Sequence, residues 1–372
     1  MPRYEGTNGD DFYWWTAPDD LRPSRFYGLR GDDEFSLRSY EHRDRFYGGA
    51  DDDTFVVSGD FNPLSALPRR GGEPEWTNYV ISPEFHAPGE VRKAVFFHGG
   101  QGDDTLEAVL LTAHDRMTVD AGQMFGRLRS VETVDLKWVI NTTDNTPVVG
   151  AKLKGTRYDD EIDVWIDEID RAKKVTVDAG RGDDLVTLRD QAISMKVKLG
   201  AGDDVFEGIE YDHGDDFRFS DRLRIIGGKG DDDVRFSKAK EIVKGGSGDD
   251  VFRLNFWGET DTVSGGRGAD TFVFRYDAHW NEAADESMAR ITDFRSGTDR
   301  IVLERYIPWP NGAAIELPVD GSYDRTGVGP IEYDRATGVL SQRGIAVLEL
   351  DPGTKLRAGD VLGTFEFDDL PL

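Results

Sequence analysis

The sequence predicts an all-β chain: a right-handed parallel β-solenoid with coils of about 20 residues and a C-terminal β cap. Three observations carry this reading. A turn motif rich in glycine and aspartate returns along most of the chain. Large apolar residues stand at fixed offsets on both sides of it. The spacing between copies clusters near 20 residues, the length of two short strands and two turns.

The motif is clearest at Gly99-Gly100-Gln101-Gly102-Asp103-Asp104-Thr105-Leu106 and at Gly227-Gly228-Lys229-Gly230-Asp231-Asp232-Asp233-Val234. It returns from Gly245 to Phe252 and from Gly265 to Phe272. All four fit G-G-x-G-x-D-x-U-x, where U is a large apolar residue. Looser copies start at Gly6, Gly28, Gly48, Gly155, Ala179 and Leu199 and keep the sixth-position aspartate as Asp11, Asp33, Asp53, Asp160, Asp184 and Asp204. Two decayed copies start at Ala121 and Tyr211. The first lacks its aspartates; the second keeps Asp216 but has Arg218 where the apolar residue belongs.

The strands follow from the register. Position 8 reads Tyr13, Phe35, Phe55, Leu106, Ile162, Val186, Phe206, Val234, Phe252 and Phe272. The residue two before each turn reads Tyr4, Phe26, Phe46, Phe97, Leu153, Val177, Val197, Ile225, Val243 and Val263. Every one is apolar or aromatic, so both sets are expected to point inward from strands on either side of the turn. Successive copies are spaced by 22, 20, 51, 56, 24, 20, 28, 18 and 20 residues. The spacings of 51 and 56 are expected to cover two or more coils each, with decayed turns. Residues 61–96, with five prolines and an adjacent glycine pair, read as a surface excursion, and 107–150 as degenerate coils.

Composition points to what holds the turns. The chain has 372 residues, 72 acidic against 45 basic, a net charge of -27 and 43 glycines. Such a balance often means disorder. Here 38% hydrophobic and 11% aromatic residues are enough for a core, and the acids cluster at recurring positions. Clustered carboxylates repel unless a cation joins them. Glycine accepts left-handed backbone at no steric cost, so the turn can curl with its carbonyls to one side, and the aspartate adds a hard anionic oxygen. Calcium takes six to eight oxygens at about 2.3–2.6 Å. One turn offers too few; two turns stacked roughly 4.8 Å apart offer enough. Several Ca2+ ions are therefore expected between stacked coils, each aspartate serving the ions above and below it. The candidate ligating carboxylates are Asp11, Asp33, Asp53, Asp104, Asp160, Asp184, Asp204, Asp232, Asp250 and Asp270.

This pattern resembles the RTX, or haemolysin-type calcium-binding, repeat family. The resemblance implies a shell completed by carbonyls of positions 1 and 3 of one turn and positions 2 and 4 of its neighbour. Gly245, Ser247 and Asp250 would then face Gly228, Gly230 and Asp232. Gly265, Arg267 and Asp270 would face Gly246, Gly248 and Asp250. Gly99, Gly100, Gln101, Gly102, Gly227, Lys229, Gly266 and Gly268 hold the same positions in their own turns. Family members often carry the motif on both sides of the coil; this chain mostly carries it on one, so one ladder of ions is expected. The stretches Ile291-Thr292-Asp293-Phe294, Asp299 to Leu303, Tyr333 to Leu340 and Ala346 to Leu350 look like the segment after the last repeat in many RTX proteins. Residues 1–275 are thus read as the solenoid, and 276–372 as the cap and a type I secretion region.

The resemblance also implies a bacterial protein that leaves the cell unfolded through a type I channel and folds in millimolar calcium outside. The N-terminus has no basic stretch followed by an apolar one, so no cleavable leader is expected. The tail from Phe365 to Leu372 is the candidate uncleaved signal. The acidity argues against nucleic acid, and no apolar run approaches the roughly 18 residues of a membrane span. Without cysteine there are neither disulfides nor thiolate metal sites. No catalytic residue is assigned: there is no H-E-x-x-H or G-x-S-x-G, and His42, His86, His98, His114, His213 and His279 lack zinc spacing.

The leading expectation is a structural, adhesive or matrix protein at the cell surface or outside the cell, with a glycan or cell-surface component as partner. A head-to-tail filament of identical chains is the second reading. A solenoid polysaccharide lyase or epimerase, with Trp138, Trp165 and Trp257 as the aromatics of its groove, is the third. Trp14-Trp15 carry no assigned partner, and Trp280 to Met288 read as a short helix.

Overall fold

In the computed structural model the described residues are 3–15, 24–37, 44–57, 96–112, 117–124, 128–140, 150–166, 174–188, 194–208, 222–236, 241–254, 261–276, 289–305, 314–316, 331–342, 345–357 and 359–364. Residues 61–95 of the surface excursion, the Tyr211 copy, the short helix at Trp280, Trp257 and the C-terminal tail lie outside them; Phe96, expected in the excursion, opens a strand. The chain packs as two compact units, Met1–Ile193 and Ser194–Leu372.

In the first unit each coil sends one strand into the turn and one out of it. The incoming strands Arg3–Glu5, Arg25–Tyr27, Arg45–Ala50 and Phe96–Gln101 pair in parallel, with Tyr4, Phe26, Phe46 and Phe97 in one column. The outgoing strands Phe12–Trp15, Glu34–Leu37, Thr54–Val57 and Thr105–Thr112 do the same, with Tyr13, Phe35, Phe55 and Leu106 aligned. A parallel ladder with no offset puts identical positions above one another. The sequence repeat therefore becomes a stack of rings. Phe26 lies on Phe46 at 4.7 Å between centroids, Tyr13 on Phe35 at 4.8 Å and Phe35 on Phe55 at 5.2 Å. Each such pair contributes about 0.5–1.5 kcal/mol beyond the area it buries.

The inward set of residues is the core. Phe35, Phe55, Leu106, Ile162, Val186, Phe206, Val234, Phe252 and Phe272 are all 0% exposed. Phe26, Phe46, Phe97, Leu153, Val177, Val197, Ile225, Val243 and Val263 are buried on the other side of the turn. Tyr4 is exposed and Tyr13 half-buried; both belong to the first coil described.

The two long spacings, both expected to cover two or more coils, resolve differently: the second does so and the first does not. Gly49 pairs with Gly100 and Phe46 with Phe97, so the turns 51 residues apart are direct neighbours with no coil between them. The intervening chain leaves one coil and rejoins the next. Loop-closure entropy grows only slowly with length, which makes such an insertion cheap. The 56-residue gap holds one additional coil, in broken form. Strand Thr133–Ile140 pairs with both Thr105–Thr112 and Asp159–Ile166. On the incoming side, Leu128–Arg129 stacks on Phe97-His98, whereas Met117–Asp120 stacks on Ala151–Lys154. Between these two fragments sits Ala121–Met124, the one helical turn among the described residues.

The second unit repeats the plan. Ser194–Ala201, Arg222–Lys229, Glu241–Ser247, Thr262–Arg267 and Ala289–Ile291 stack in parallel. So do Val205–Gly208, Asp233–Arg235, Val251–Leu254, Thr271–Tyr276, Arg300–Arg305 and Val361–Thr364. The expected cap then changes direction. Ile331–Asp334, Val339–Gln342 and Ile345–Leu350 form an antiparallel meander whose last strand pairs in parallel with Ala289–Ile291, and Ala314–Glu316 runs antiparallel on Val361–Thr364. Antiparallel hairpins give the final parallel strands a partner and so cover an edge open to pairing.

Candidate metal centre

The turns are built on left-handed glycine. Gly246 and Gly248 have φ of 131° and 135°, and Gly266 and Gly268 of 108° and 132°. A Cβ on Gly246 would run into the carbonyl of Gly228, and one on Gly248 into that of Gly230. The stacking distance thus fixes glycine at both positions. A Cβ on the first glycine, Gly245, would meet Oδ2 of Asp250 in the same turn; Gly48 and Asp53, Gly99 and Asp104, Gly227 and Asp232, and Gly265 and Asp270 repeat this.

The sixth-position aspartates form a buried ladder. In the first unit the Asp11 N–H donates to Asp33 Oδ1 at 2.8 Å, Asp33 to Asp53 at 3.0 Å and Asp53 to Asp104 at 2.9 Å. Asp160 donates to Asp184 at 2.9 Å. In the second unit Asp204 donates to Asp232 at 3.1 Å, Asp232 to Asp250 at 3.0 Å and Asp250 to Asp270 at 3.2 Å. One oxygen of each accepting carboxylate is thus spent on the neighbouring coil. The other is left over: Oδ2 of Asp33, Asp53, Asp104, Asp232 and Asp250 is buried and accepts no hydrogen bond. A buried ionised carboxylate with an unmet oxygen is costly. Burial, partly offset by the backbone hydrogen bond and reinforced by neighbouring aspartates, pushes Asp232 up to about 8, Asp53 and Asp250 to about 7, and Asp33 and Asp104 to about 6.

This donor set fits calcium. Among the described residues no three His, Cys, Asp or Glu side chains converge as a ligand group. Each turn brings one carboxylate, so main-chain carbonyls have to supply most of the shell, as hard-cation sites allow. The third-position carbonyls of Ser247 and Arg267 accept the N–H of Gly230 and Gly248 at 2.9 Å, and each keeps a second lone pair. Ser247 Oγ reaches back to the Gly228 carbonyl at 3.4 Å.

Two expected ligands sit differently. Asp11 Oδ2 accepts the N–H of Thr7 at 2.6 Å, and Asp160 Oδ2 that of Thr156 at 2.5 Å. The threonine hydroxyls add bonds at 3.0 and 2.7 Å. Threonine replaces glycine at position 2 in these turns, and the turn closes on its own carboxylate. In the broken coil, Glu132 takes the aspartate's role: its Oε2 accepts the Asp104 N–H at 3.0 Å from the end of a shortened turn. The Ala121 copy lies against the Gly155 turn, Gly122 donating to the Gly155 carbonyl at 3.2 Å.

A second ladder, unnoticed in the sequence, runs along the fifth positions. There the bonds point the other way. Asp32 N–H donates to Asp10 Oδ1, Asp52 to Asp32, Asp103 to Asp52, Asp231 to Asp203 and Asp249 to Asp231, at 2.6–3.1 Å. It is exposed, and its signal is the recurring GDD doublet. Trp138 is fully buried in the core and Trp165 donates to Asp163 at 2.9 Å. Trp14 is exposed, its ring 6.1 Å from that of Phe12.

Stacked glycine turns with a buried row of half-satisfied aspartates define a calcium-binding parallel β-solenoid. Residues 47–311 match the family Peptidase M10 serralysin C terminal, and the chain belongs to it. Domains of this family are calcium-binding RTX β-rolls, and the chain is a secreted calcium-binding protein of that kind. No curated protein matches it. Among the described residues no helix is long and apolar enough to cross a membrane.

Proposed function

We propose that this chain is a non-catalytic extracellular protein of structural or adhesive role, assembled by calcium held between its coils. The observation that carries the reading is the row of buried Oδ2 atoms on Asp33, Asp53, Asp104, Asp232 and Asp250. Oδ2 of the sixth-position aspartates and carbonyls of the glycine turns would hold a cation between two such turns and so neutralise the row. Without it the row is a stack of buried, mutually repelling charges, so binding free energy becomes folding free energy. At cytosolic calcium the chain stays open, as type I export requires; in millimolar calcium it closes. A repetitive flank of stacked strands suits lateral contact with an extended surface, a glycan or a matrix, more than turnover of a small substrate. Burial of Trp138 favours the same side, because it withdraws one aromatic from any substrate groove.

Far-ultraviolet circular dichroism and sedimentation on one sample, first calcium-free and then in millimolar calcium, test this at neutral pH. A coil-to-β change with compaction is expected. A chain already folded without calcium and unchanged by it would sink the reading.

A further inference from the structure

We propose that the guanidinium of Arg295 is the terminal cation of the second unit's ladder, holding the place that calcium takes one coil earlier. This rests on the calcium-ladder reading above and concerns where the ladder stops.

The aspartate ladder does not end at the last glycine turn. The Asp270 N–H donates to Asp299 Oδ1 at 3.2 Å, so the segment 294–299 stacks as one more turn. One coil earlier, the resemblance to RTX repeats gives the ion the carbonyl of Gly248 and the carboxylates of Asp250 and Asp270, and Asp250 Oδ2 is buried without a hydrogen bond. The equivalent oxygens in the last step are the carbonyl of Gly268 and the carboxylates of Asp270 and Asp299. All three face one nitrogen. Nη2 of Arg295 donates to the Gly268 carbonyl, lies 3.4 Å from Asp270 Oδ2 and 3.1 Å from Asp299 Oδ1. The two carboxylates are buried, at 0% and 2% side-chain exposure. A single positive nitrogen bridging oxygens of two stacked turns stands where a bridging cation would.

The backbone shows why Arg295 can do this. Its N–H donates to Asp299 Oδ2 at 2.7 Å, four residues on, as Thr7 does to Asp11 and Thr156 to Asp160. Arg295 therefore occupies position 2 of a closed turn. Open turns carry left-handed glycine at that position, as at Gly246 and Gly266, and glycine has no side chain to reach the ion's place. A guanidinium stays charged at every physiological pH. The last step of the ladder is thus satisfied at any calcium concentration.

Calcium per chain, counted by equilibrium dialysis at saturating calcium on the full-length protein, tests this. Arg295→Ala is expected to bind one ion more than the parent chain. Arg295→Lys, whose ammonium keeps the charge in place, is expected to bind the parent number. An unchanged count in folded Arg295→Ala overturns the proposal, as does an ion gained by Arg295→Lys. Should Arg295→Ala fail to fold in calcium, the lysine variant decides alone. A parent chain that binds no calcium removes the ladder reading itself, an outcome distinct from equal, nonzero counts.

Discussion

The calcium-free chain should be more stable in mild acid than at neutral pH, the reverse of its behaviour with calcium. The perturbation is proton concentration, and the groups are Asp232, Asp250 and Asp270, raised chiefly by burial to about 8, 7 and 6 from an ordinary 3.8. A carboxylate whose folded pKa lies above its unfolded one favours the fold fully below the unfolded value. That contribution is lost as pH rises through the folded value, here from about pH 4 to 8. Between pH 5 and 7 the three lose about 3, 2 and 1 kcal/mol, together about 6 kcal/mol, against a typical domain stability of about 5–15 kcal/mol. Calcium requires the ionised form, so with calcium present acid should destabilise and the calcium needed for half-folding should rise as pH falls. Circular dichroism of dialysed calcium-free protein at pH 5, 6, 7 and 8, with urea unfolding wherever it is folded and throughout in millimolar calcium, measures both arms. Calcium-free stability that is flat or rising from pH 5 to 7 would refute the reasoning, because it would mean that these carboxylates are solvated when the chain is folded.

Three further outcomes follow from single positions. Asp250→Asn keeps an oxygen for the Asp232 N–H but removes the charge; it should favour the calcium-free fold at pH 7 by up to about 4 kcal/mol, read as more β signal in circular dichroism without calcium, and lower the number of ions bound, read by dialysis in calcium. Gly246→Ala forces a side chain into left-handed backbone and against the Gly228 carbonyl, costing more than about 1–2 kcal/mol, whereas Gly9→Ala, with open space around it, should melt like the parent chain. Phe35→Ala empties a fully buried site stacked between Tyr13 and Phe55 and should cost about 3–5 kcal/mol in denaturant unfolding.

The coil, its register and its core were legible because a parallel stack without offset repeats the same environment at the same motif position. Phe35, Phe55 and Phe272 could be placed inside the protein from the turn alone. What escaped was whatever departs from that identity. The spacing of 51 residues looked like missing coils, since length cannot tell an insertion between two neighbouring coils from a decayed repeat. Glu132 was invisible because its turn is shorter and its side chain one methylene longer, so it sits off the motif while doing the motif's work. Asp11 and Asp160 match the consensus at position 6; their closed turns share threonine in place of glycine at position 2, and the second also has Tyr158 in place of glycine at position 4. Arg295 lies past the last glycine repeat, where the consensus no longer applies.

The repeat's two strictest residues answer to different demands, and the exceptions separate them. Passing a hydrogen bond to the next coil does not require aspartate: Glu132 does it from a shortened turn, and an asparagine oxygen would do it as well. What aspartate adds is a second, charged oxygen held inside the turn against the first glycine, where any Cβ would collide with it. Where the turn has its own donor for that oxygen, as with Thr7, Thr156 and Arg295, left-handed glycine at position 2 is dispensable. At Leu29, Gly49, Gly100, Gly228 and Gly246, where position 2 is left-handed, the oxygen is left bare; at Gly266 the Arg295 guanidinium meets it. Hydrogen bonding, packing and turn chemistry are all complete in these open turns without that oxygen. Its invariance across them is accounted for by a ligand that only a charged, unshared oxygen can hold, and the divalent cation proposed above to lie between coils meets that demand.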